Sequence, residues 1–552
     1  MKTKEMSVQI DESLLDEIII LVTDINFEYF INSFLDALFQ DKKNVVLESG
    51  EQNIAIEKDN RLKNGKGFLN LLLRKLPRPY TIVQEPFHID RSYRDTYYMY
   101  FSNQHFDVKR YSRRLSFFVG EMTLIDFLGK KQGIEEVFIG SCVINPPSGG
   151  LIGRTLINPG YIIDAADMPV YLRTSMYKLN ILGVPFEIRA FPYRMQDQET
   201  MCCAEVTLLN ILEHYSNSYE DYKSVNPSDI INYEQKHSHE RVLPSKGMTY
   251  PILTKVMSEF GFSPRLYNLH AIRNFNYSRI TQKDELRRWL HYYIESGFPV
   301  ALNLNPIGAY GTGHSVVCIG HGKAKEELKI KAKQNKLVLW SKKENCHPII
   351  NSADFYEDYV ITDDNQFLYQ IRKFDNISIH PDMQVVNLAV PLYKRMFLDA
   401  PDAADIIIPI LQHDEYGISA WCNDFLQPRE DVIVRIFMAS SRSFKKYRLA
   451  MLKDLNAKIV YSLLRLPRFI WICELYRESD YDNLEAFGEI VIDATSASNR
   501  GHKSLLMMHY PNVIACRYPE TTTPGFEKQI ELPKAELFKG YRSNLMEIKS
   551  EY

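Results

Sequence analysis

The sequence predicts an α+β protein with several domains. Its 552 residues are enough for about three domains of roughly 150 residues each. In the middle of the chain, helix-like stretches come first and strand-like stretches follow, an order typical of α+β units with an antiparallel sheet. We therefore expect an N-terminal α+β domain (1–185), a central α+β domain (186–372) and a C-terminal α/β domain (373–552).

The composition is that of an ordinary globular protein. Hydrophobic residues make up 45% and charged residues 24% of the chain, which is sufficient to bury full cores. The net charge of −3 gives no electrostatic reason to bind nucleic acid or a membrane surface, and we expect neither as a partner. The stretch 91–118 interleaves basic and aromatic residues, but a solvated or partner-binding sheet face explains it better than a single-strand nucleic-acid platform.

Cysteine usage and the first residues indicate a cytoplasmic protein. The eight cysteines are scattered without the spacing of a disulfide framework, as expected in a reducing compartment. Acidic residues interrupt the opening MKTKEMSVQIDESLLDEIII, where a signal peptide needs an unbroken apolar stretch. No apolar run approaches the length of about 20 residues that a membrane span requires.

The N-terminal region mixes both kinds of element. Apolar residues at helical spacing predict a helix within 11–25 and a second one around Phe30–Phe39. The segment 136–163, EVFIGSCVINPPSGGLIGRTLINPGYII, is rich in strand formers interrupted by Pro and Gly, and it predicts short strands and turns. No catalytic pattern stands out in this region.

In the C-terminal region, strands alternate with a helical stretch. DVIVRIFMA (431–439) and FIWICELY (469–476) have the composition of strands, and the segment 443–464 between them has helical periodicity. Strands that alternate with a helical stretch favour an α/β arrangement.

Two adjacent cysteines, Cys202 and Cys203 in MCCAEVTLLNIL, stand at the start of a helix-like run. A helix N-terminus stabilises thiolate, the nucleophilic form of cysteine, through its free N–H groups and its dipole. On helical spacing, Cys202 shares its face with Val206 and Leu209, the side expected to pack inward against a sheet. Cys203 shares its face with more polar residues. We therefore predict Cys202 as the nucleophile.

The remaining catalytic groups are expected on strands further along the chain. His314 follows a Gly-rich turn in GTGHSVVCIGHG and opens an apolar strand, so it is the predicted base, while His321 lies at the far end of that strand. Asp363 or Asp364, at the end of YVITDDN, is expected to orient the imidazole. Strand alternation favours Asp363 without settling the choice.

A side-chain amide precedes the cysteines by a short distance. Gln196 lies six residues before Cys202, and together with a backbone N–H it is suited to hold an oxyanion.

The order of these motifs resembles papain-like cysteine peptidases, and in particular the C39-like branch. Gln196 and Cys202 are followed by PSKG (244–247), GFPV (297–300), Gly-His and Asp, and the resemblance covers about 186–372. It implies Gln196 as oxyanion donor, Cys202 as nucleophile, His314 as base and then acid, and Asp363 as orienting group. It also implies that neither a metal nor an organic cofactor is needed.

The sequence departs from that pattern in two places. A cysteine, Cys203, stands where C39-like enzymes usually have Gly after the nucleophile. In addition, 49 residues separate His314 from Asp363, where a short connection is usual. The insert (322–357) begins as a Lys-rich amphipathic helix, and we expect it to cover the cleft as a lid or to dock a regulatory protein partner.

These features predict a cysteine peptidase that acts on a specific protein or peptide. A cysteine acyltransferase or amidase would use the same residues, and the rival hypothesis is a catalytically silent scaffold on a peptidase-like core. The histidines of KHSHE (236–240) and CHP (346–348) lack the paired spacing of a zinc site, so we interpret them as solvated loop residues and expect no metal.

Overall fold

The computed structural model describes twelve segments of the chain. They are residues 18–39, 65–105, 108–130, 132–146, 151–163, 169–272, 281–307, 313–334, 347–378, 382–517, 528–532 and 536–548. Along these segments the protein is a mixed α+β structure with several largely antiparallel sheets. No helix in them has both the length and the apolar character needed to cross a membrane.

The strands and helices are numbered in chain order. The described strands are β1 (Ile19–Val22), β2 (Tyr80–His88), β3 (Ser112–Val119), β4 (Phe138–Asn145), β5 (Leu151–Ile157), β6 (Val170–Leu172), β7 (Ser175–Ile181), β8 (Val184–Ala190), β9 (Arg265–Asn268), β10 (Val300–Pro306), β11 (His314–His321), β12 (Ile349–Asn351), β13 (Asp358–Thr362), β14 (Gln370–Lys373), β15 (Met383–Val390), β16 (Val432–Ser440), β17 (Phe469–Arg477), β18 (Glu485–Ala486), β19 (Gly488–Asp493), β20 (Leu505–Tyr510), β21 (Val513–Cys516), β22 (Lys528–Glu531), β23 (Phe538–Lys539) and β24 (Met546–Ile548). The described α-helices are α1 (Phe27–Leu38), α2 (65–75), α3 (Arg91–Met99), α4 (Leu124–Leu128), α5 (Cys203–Ser218), α6 (Pro227–His237), α7 (Tyr250–Glu259), α8 (Gln282–Glu295), α9 (Glu326–Gln334), α10 (Ala400–Leu411), α11 (Ile418–Trp421), α12 (Ser441–Met451), α13 (Leu455–Leu463) and α14 (Glu478–Tyr481).

The N-terminal unit is built on a five-stranded antiparallel meander, β1-β2-β3-β4-β5. The helix α1 and the strands β4 and β5 confirm the elements expected around Phe30–Phe39 and within 136–163. The helix expected within 11–25 is wrong from Ile19 onward, because Ile19–Val22 form β1 and pair with β2. β-branched side chains favour a pleated sheet when a partner strand is available. The earlier part of that prediction lies outside the described residues.

The central unit packs α5 against a sheet with the strand order β14-β13-β11-β10-β15-β9. Every residue of α5 from Ala204 to Leu212 is buried, so this helix has no solvated face over most of its length. The sheet also takes in β6, β15 and β24, which lie outside the expected domain limits of 186–372. The three units are therefore interleaved along the chain.

The C-terminal unit is a seven-stranded sheet with the order β12-β16-β17-β19-β20-β21-β22. Among the described strands of this sheet only β12 and β16 pair in parallel, and β16 runs antiparallel to β17. The expected α/β arrangement is therefore wrong. The segment 443–464 holds two helices, α12 and α13, with Asp454 capping the second one. Two helices in succession return the chain in the direction that an antiparallel strand requires.

A network of buried charges joins the C-terminal sheet to the central unit. The Arg448 guanidinium donates hydrogen bonds to Glu474 (2.5 Å) and Glu489 (2.6 Å), and all three side chains are fully buried. Arg435 bridges Glu474 (2.8 Å) and Glu295 of α8 (2.5 Å). Because a buried charge is tolerated only when it is paired, the network fixes how α8 sits on the sheet.

Replacing Arg448 tests the importance of this network. The Arg448→Met variant leaves Glu474 and Glu489 buried without their shared guanidinium, and breaking a buried pair in this way costs about 3–5 kcal/mol. We expect a matching fall in the urea midpoint of unfolding. The exposed pair Arg74–Glu28, whose side chains are 38% and 66% exposed, provides the control, since Arg74→Met should cost less than about 1 kcal/mol. Equal losses in the two variants would contradict the role of the network.

Candidate active site

The start of α5 is fixed by an aspartate turn. The Asp197 carboxylate accepts hydrogen bonds from the backbone N–H groups of Glu199 (2.9 Å), Thr200 (2.7 Å) and Met201 (2.8 Å). This turn delivers the chain to the helix, which begins at Cys203 with Cys202 as its N-cap residue. Cys203 therefore occupies the first helical position, where backbone N–H groups have no partner within the helix.

The thiol beside the imidazole is that of Cys203. His314 opens β11, and the side chains of Cys203 and His314 are within hydrogen-bonding range of each other. Nε2 of the imidazole lies 2.8 Å from Asp363 Oδ1. Since one ring nitrogen is taken by the acid, the other remains for the thiol. The structure thus brings Cys203, His314 and Asp363 together as thiol, imidazole and carboxylate.

Cys202 points elsewhere, which corrects the predicted nucleophile. Its backbone is extended (φ −95°, ψ −173°), so its side chain does not follow the helical face on which the prediction relied. The Cys202 thiol donates to the carbonyl of Ser245 at 3.6 Å. Burial raises the pKa of the Cys202 thiol to about 12, which keeps it protonated and unreactive.

Asp363 is the acid that orients the imidazole. It follows β13, and its Oδ1 also accepts the backbone N–H of Asn365 at 2.9 Å. Burial alone lowers the pKa of His314, but the hydrogen bonds to Asp363 and Cys203 outweigh it and hold that pKa well above its usual value. The imidazolium form is therefore stabilised, as a thiolate partner requires.

Asp364 is a second carboxyl beside the same imidazole. Its Oδ1 lies 3.7 Å from His314 Nε2, and the side chain is only 3% exposed. Burial raises the pKa of Asp364 to about 8, His314 opposes this, and the hydrogen-bonded Asp363 carboxyl adds to it. At neutral pH Asp364 is thus largely the neutral acid, whereas Asp363 holds the imidazole, so the two aspartates have different roles.

The Gln196 side chain is held beside the turn that carries Asp363, and not beside a cysteine. Its amide nitrogen donates to Asn365 Oδ1 at 2.7 Å, which ties the segment before α5 to the turn that carries Asp363. Within the described residues no hydrogen bond joins Gln196 to Cys202 or Cys203. One of its two amide N–H donors is used in this contact.

The sequence analysis missed Tyr250, Ser315 and Glu205, which lie near the two cysteines and His314. Tyr250 Oη lies 3.2 Å from Ser315 Oγ, next to His314, and Cys203 is among the groups that act on its pKa, which burial raises. Glu205 is 1% exposed, accepts a hydrogen bond from Ser245 Oγ at 2.7 Å and reaches back to the backbone N–H of Cys202. A Glu at the third helical position is a recognisable sign that the N-cap lies three residues earlier.

The other histidines lie apart from this site. His321 is at the opposite end of β11, with Nε2 3.3 Å from Glu295 Oε1, and it lines a cavity of about 670 Å³ between the central and C-terminal units. His347 is buried, and Nδ1 faces the carbonyl of Glu430 at 3.0 Å, so its interpretation as a solvated loop residue is wrong. Among the described residues, the grouping of potential metal ligands is His314, Asp363 and Asp364 themselves.

The described part of the 322–357 insert belongs to the C-terminal unit. Its strand β12 pairs with β16, and Lys329 of α9 forms an ion pair with Asp482 at 2.6 Å. This part follows the His321 end of β11, whereas Cys203 contacts the His314 end. An eight-residue strand separates those ends by about 25 Å, so the described insert does not cover the thiol.

No protein-family model matches this sequence, and no curated protein matches it either. The resemblance to C39-like peptidases therefore depends on the motif residues themselves.

The raised pKa of Asp364 makes stability depend on pH. The unfolded chain loses this proton near pH 3.9, whereas the folded protein keeps it until about pH 8, so this residue destabilises the fold progressively as the pH rises between these values. In the Asp364→Asn variant, whose amide does not ionise in this pH range, this loss of stability is absent. We therefore expect the urea midpoint of the variant to rise relative to the wild-type midpoint as the pH increases from 5 to 8.

The exposed Asp36, whose side chain is 60% exposed, supplies the control. The Asp36→Asn variant should follow the wild-type pH dependence. If the urea midpoints of Asp364→Asn and wild type changed by the same amount with pH, the assignment of Asp364 as a buried neutral acid would be contradicted.

Proposed function

We propose that this protein is a cysteine-dependent enzyme that cleaves acyl bonds, and specifically a peptidase acting on a protein or peptide. The supporting observation is that the Cys203 thiol, at the first position of α5, faces His314, whose Nε2 is 2.8 Å from Asp363. A thiol, an imidazole and a carboxylate in series are the groups required for nucleophilic acyl transfer.

The proposed reaction assigns one task to each group. His314 takes the Cys203 proton, and the thiolate attacks the peptide carbonyl carbon to give a tetrahedral oxyanion. The free N–H groups of the first turn of α5 stabilise that oxyanion. His314 then protonates the leaving amine as the C–N bond breaks, which leaves a thioester on Cys203.

Water completes the cycle. With His314 again acting as base, a water molecule attacks the thioester, and Cys203 leaves as the thiol with the proton returned from the imidazolium. Asp363 holds the ring in orientation throughout. This route needs no metal and no organic cofactor. The seven described cysteines are all free thiols, which supports action in a reducing compartment such as the cytoplasm.

The adjacent cysteines provide an internally matched test. Alkylation by iodoacetamide at pH 6, read for each cysteine by mass spectrometry, should label Cys203 rapidly, because its thiolate is stabilised by imidazolium. Cys202 should label about a thousandfold more slowly than an ordinary thiol, since its pKa of about 12 removes nearly all thiolate. The Cys202→Ser variant should keep fast labelling at Cys203.

The His314→Ala variant separates an activated thiol from an exposed one. It should reduce Cys203 labelling at pH 6 to the rate of an ordinary thiol with a pKa of about 8.5. Labelling of Cys203 that is slow in wild type, or unchanged in His314→Ala, would indicate the silent scaffold instead of the enzyme.

A peptide library tests the reaction itself. Wild type and Cys202→Ser should generate new peptide N-termini, whereas Cys203→Ser should generate none, because only Cys203 forms the thioester. Adding glycine methyl ester distinguishes hydrolysis from transfer. Products that carry the added amine, without hydrolysis in its absence, would contradict the peptidase and identify an acyltransferase that uses the same thiol.

A further inference from the structure

A second cavity lies at the other end of α5, between the central and C-terminal units. It has a volume of about 490 Å³ and is lined by residues that follow α5, by Ser296 and Gly297 after α8, by the junction of β16 and α12, and by Ser543 and Asn544. This volume is within the range of about 300–1,000 Å³ that is typical of small-molecule sites. Its distance from the thiol is set by the 16 residues of α5, about 24 Å at 1.5 Å per residue.

The charges that line this cavity are unbalanced. Three guanidinium groups, those of Arg173, Arg442 and Arg468, face a single carboxylate, that of Asp221, among the described lining residues. Asp221 is already engaged, because Arg468 donates to its Oδ2 at 2.9 Å. Within the described part of the chain, the Arg442 side chain has neither a hydrogen-bond partner nor an ion-pair partner.

Arg173 is the most informative of the three arginines. Its guanidinium donates to His214 Nε2 (3.3 Å), the Asn544 carbonyl (3.1 Å) and Tyr219 Oη (2.8 Å). Burial and the charge of Arg173 itself hold the pKa of His214 well below its usual value, so that partner is neutral. A partly buried guanidinium is thus oriented by three neutral groups, whereas buried charges are normally paired with an opposite charge.

One wall of the cavity is aromatic and adjoins the arginines, because Tyr219 Oη accepts from Arg173 and the Arg468 guanidinium lies over the Phe469 ring, 5.3 Å from its centroid. Tyr393 stacks on Phe469 with ring centroids 4.6 Å apart and an interplanar angle of 2°. Tyr219 and Tyr222 complete this wall. Aromatic faces favour a planar or apolar group, so the cavity presents aromatic rings next to the arginines that would hold an anion.

We propose that this cavity binds a small organic anion, a phosphate or a carboxylate carried on an aromatic or apolar group. The anionic group contacts Arg442, Arg173 and Arg468, and the organic part lies against Tyr393. The first turn of α12, whose N-cap Ser440 accepts the Ser443 N–H at 3.2 Å, adds hydroxyl and N–H donors on the cationic side. This site is separate from the thiol and does not depend on the proposed peptidase reaction.

Calorimetric titration of the full chain with phenyl phosphate, benzoate and benzyl alcohol tests the proposal. Phenyl phosphate or benzoate should bind, and benzyl alcohol should not, because it lacks the charge that the arginines recognise. Binding of phenyl phosphate alone identifies the anion as a phosphate, and binding of benzoate alone identifies a carboxylate. Affinity should fall as salt is added.

Variants locate the binding in the cavity. Arg442→Gln and Arg468→Gln should each weaken binding about tenfold, the value of one charge-assisted contact. Arg442→Gln should also leave the melting temperature of the free protein unchanged, because unlike Arg468 it has no ion-pair partner among the described residues. The exposed Arg189 on β8 is the matched control, and Arg189→Gln should bind as wild type does. The proposal is overturned if neither anion binds, if benzyl alcohol binds equally well, or if both cavity variants keep wild-type affinity.

Discussion

The candidate site depends on where α5 begins, and that is set by the carboxylate of Asp197. By accepting three consecutive backbone N–H groups, it turns the chain so that Cys203, and not Cys202, is the first helical residue. One thiol then faces an imidazole and the other a backbone carbonyl. A helix that began one residue earlier would put Cys202 in the place of Cys203, so the backbone alone gives two neighbouring thiols different surroundings.

The sequence was sufficient to find the groups of this site but not their register. His314 and Asp363 were predicted from their places at strand ends, and the structure brings them together. The sequence analysis chose between the cysteines by asking which one lies on the inward face of the helix. That criterion failed because α5 is buried on every side from Ala204 to Leu212, so no single face points inward. Glu205, three residues after the N-cap, was the local signal for the helix start.

The same limit applies to the fold. Local pattern identified α1, β4, β5, β16 and β17, whose propensities agree with their environment. It failed at β1, where pairing with β2 overrides helical spacing, and at 443–464, where Asp454 divides one expected helix into two. Pairings such as β6 with β24 join residues far apart in the chain, and no local pattern encodes them.

The pairing of β24 with β6 has a consequence for the order in which the protein is made. The strand β6 also pairs with β11, at Gly320 and His321. The central sheet is therefore complete only after residues 546–548 have left the ribosome, although Cys203 emerges much earlier. Such long-range pairing delays folding. A newly synthesised chain thus carries Cys203 for most of translation before the Gly320–His321 end of β11 has all its neighbouring strands.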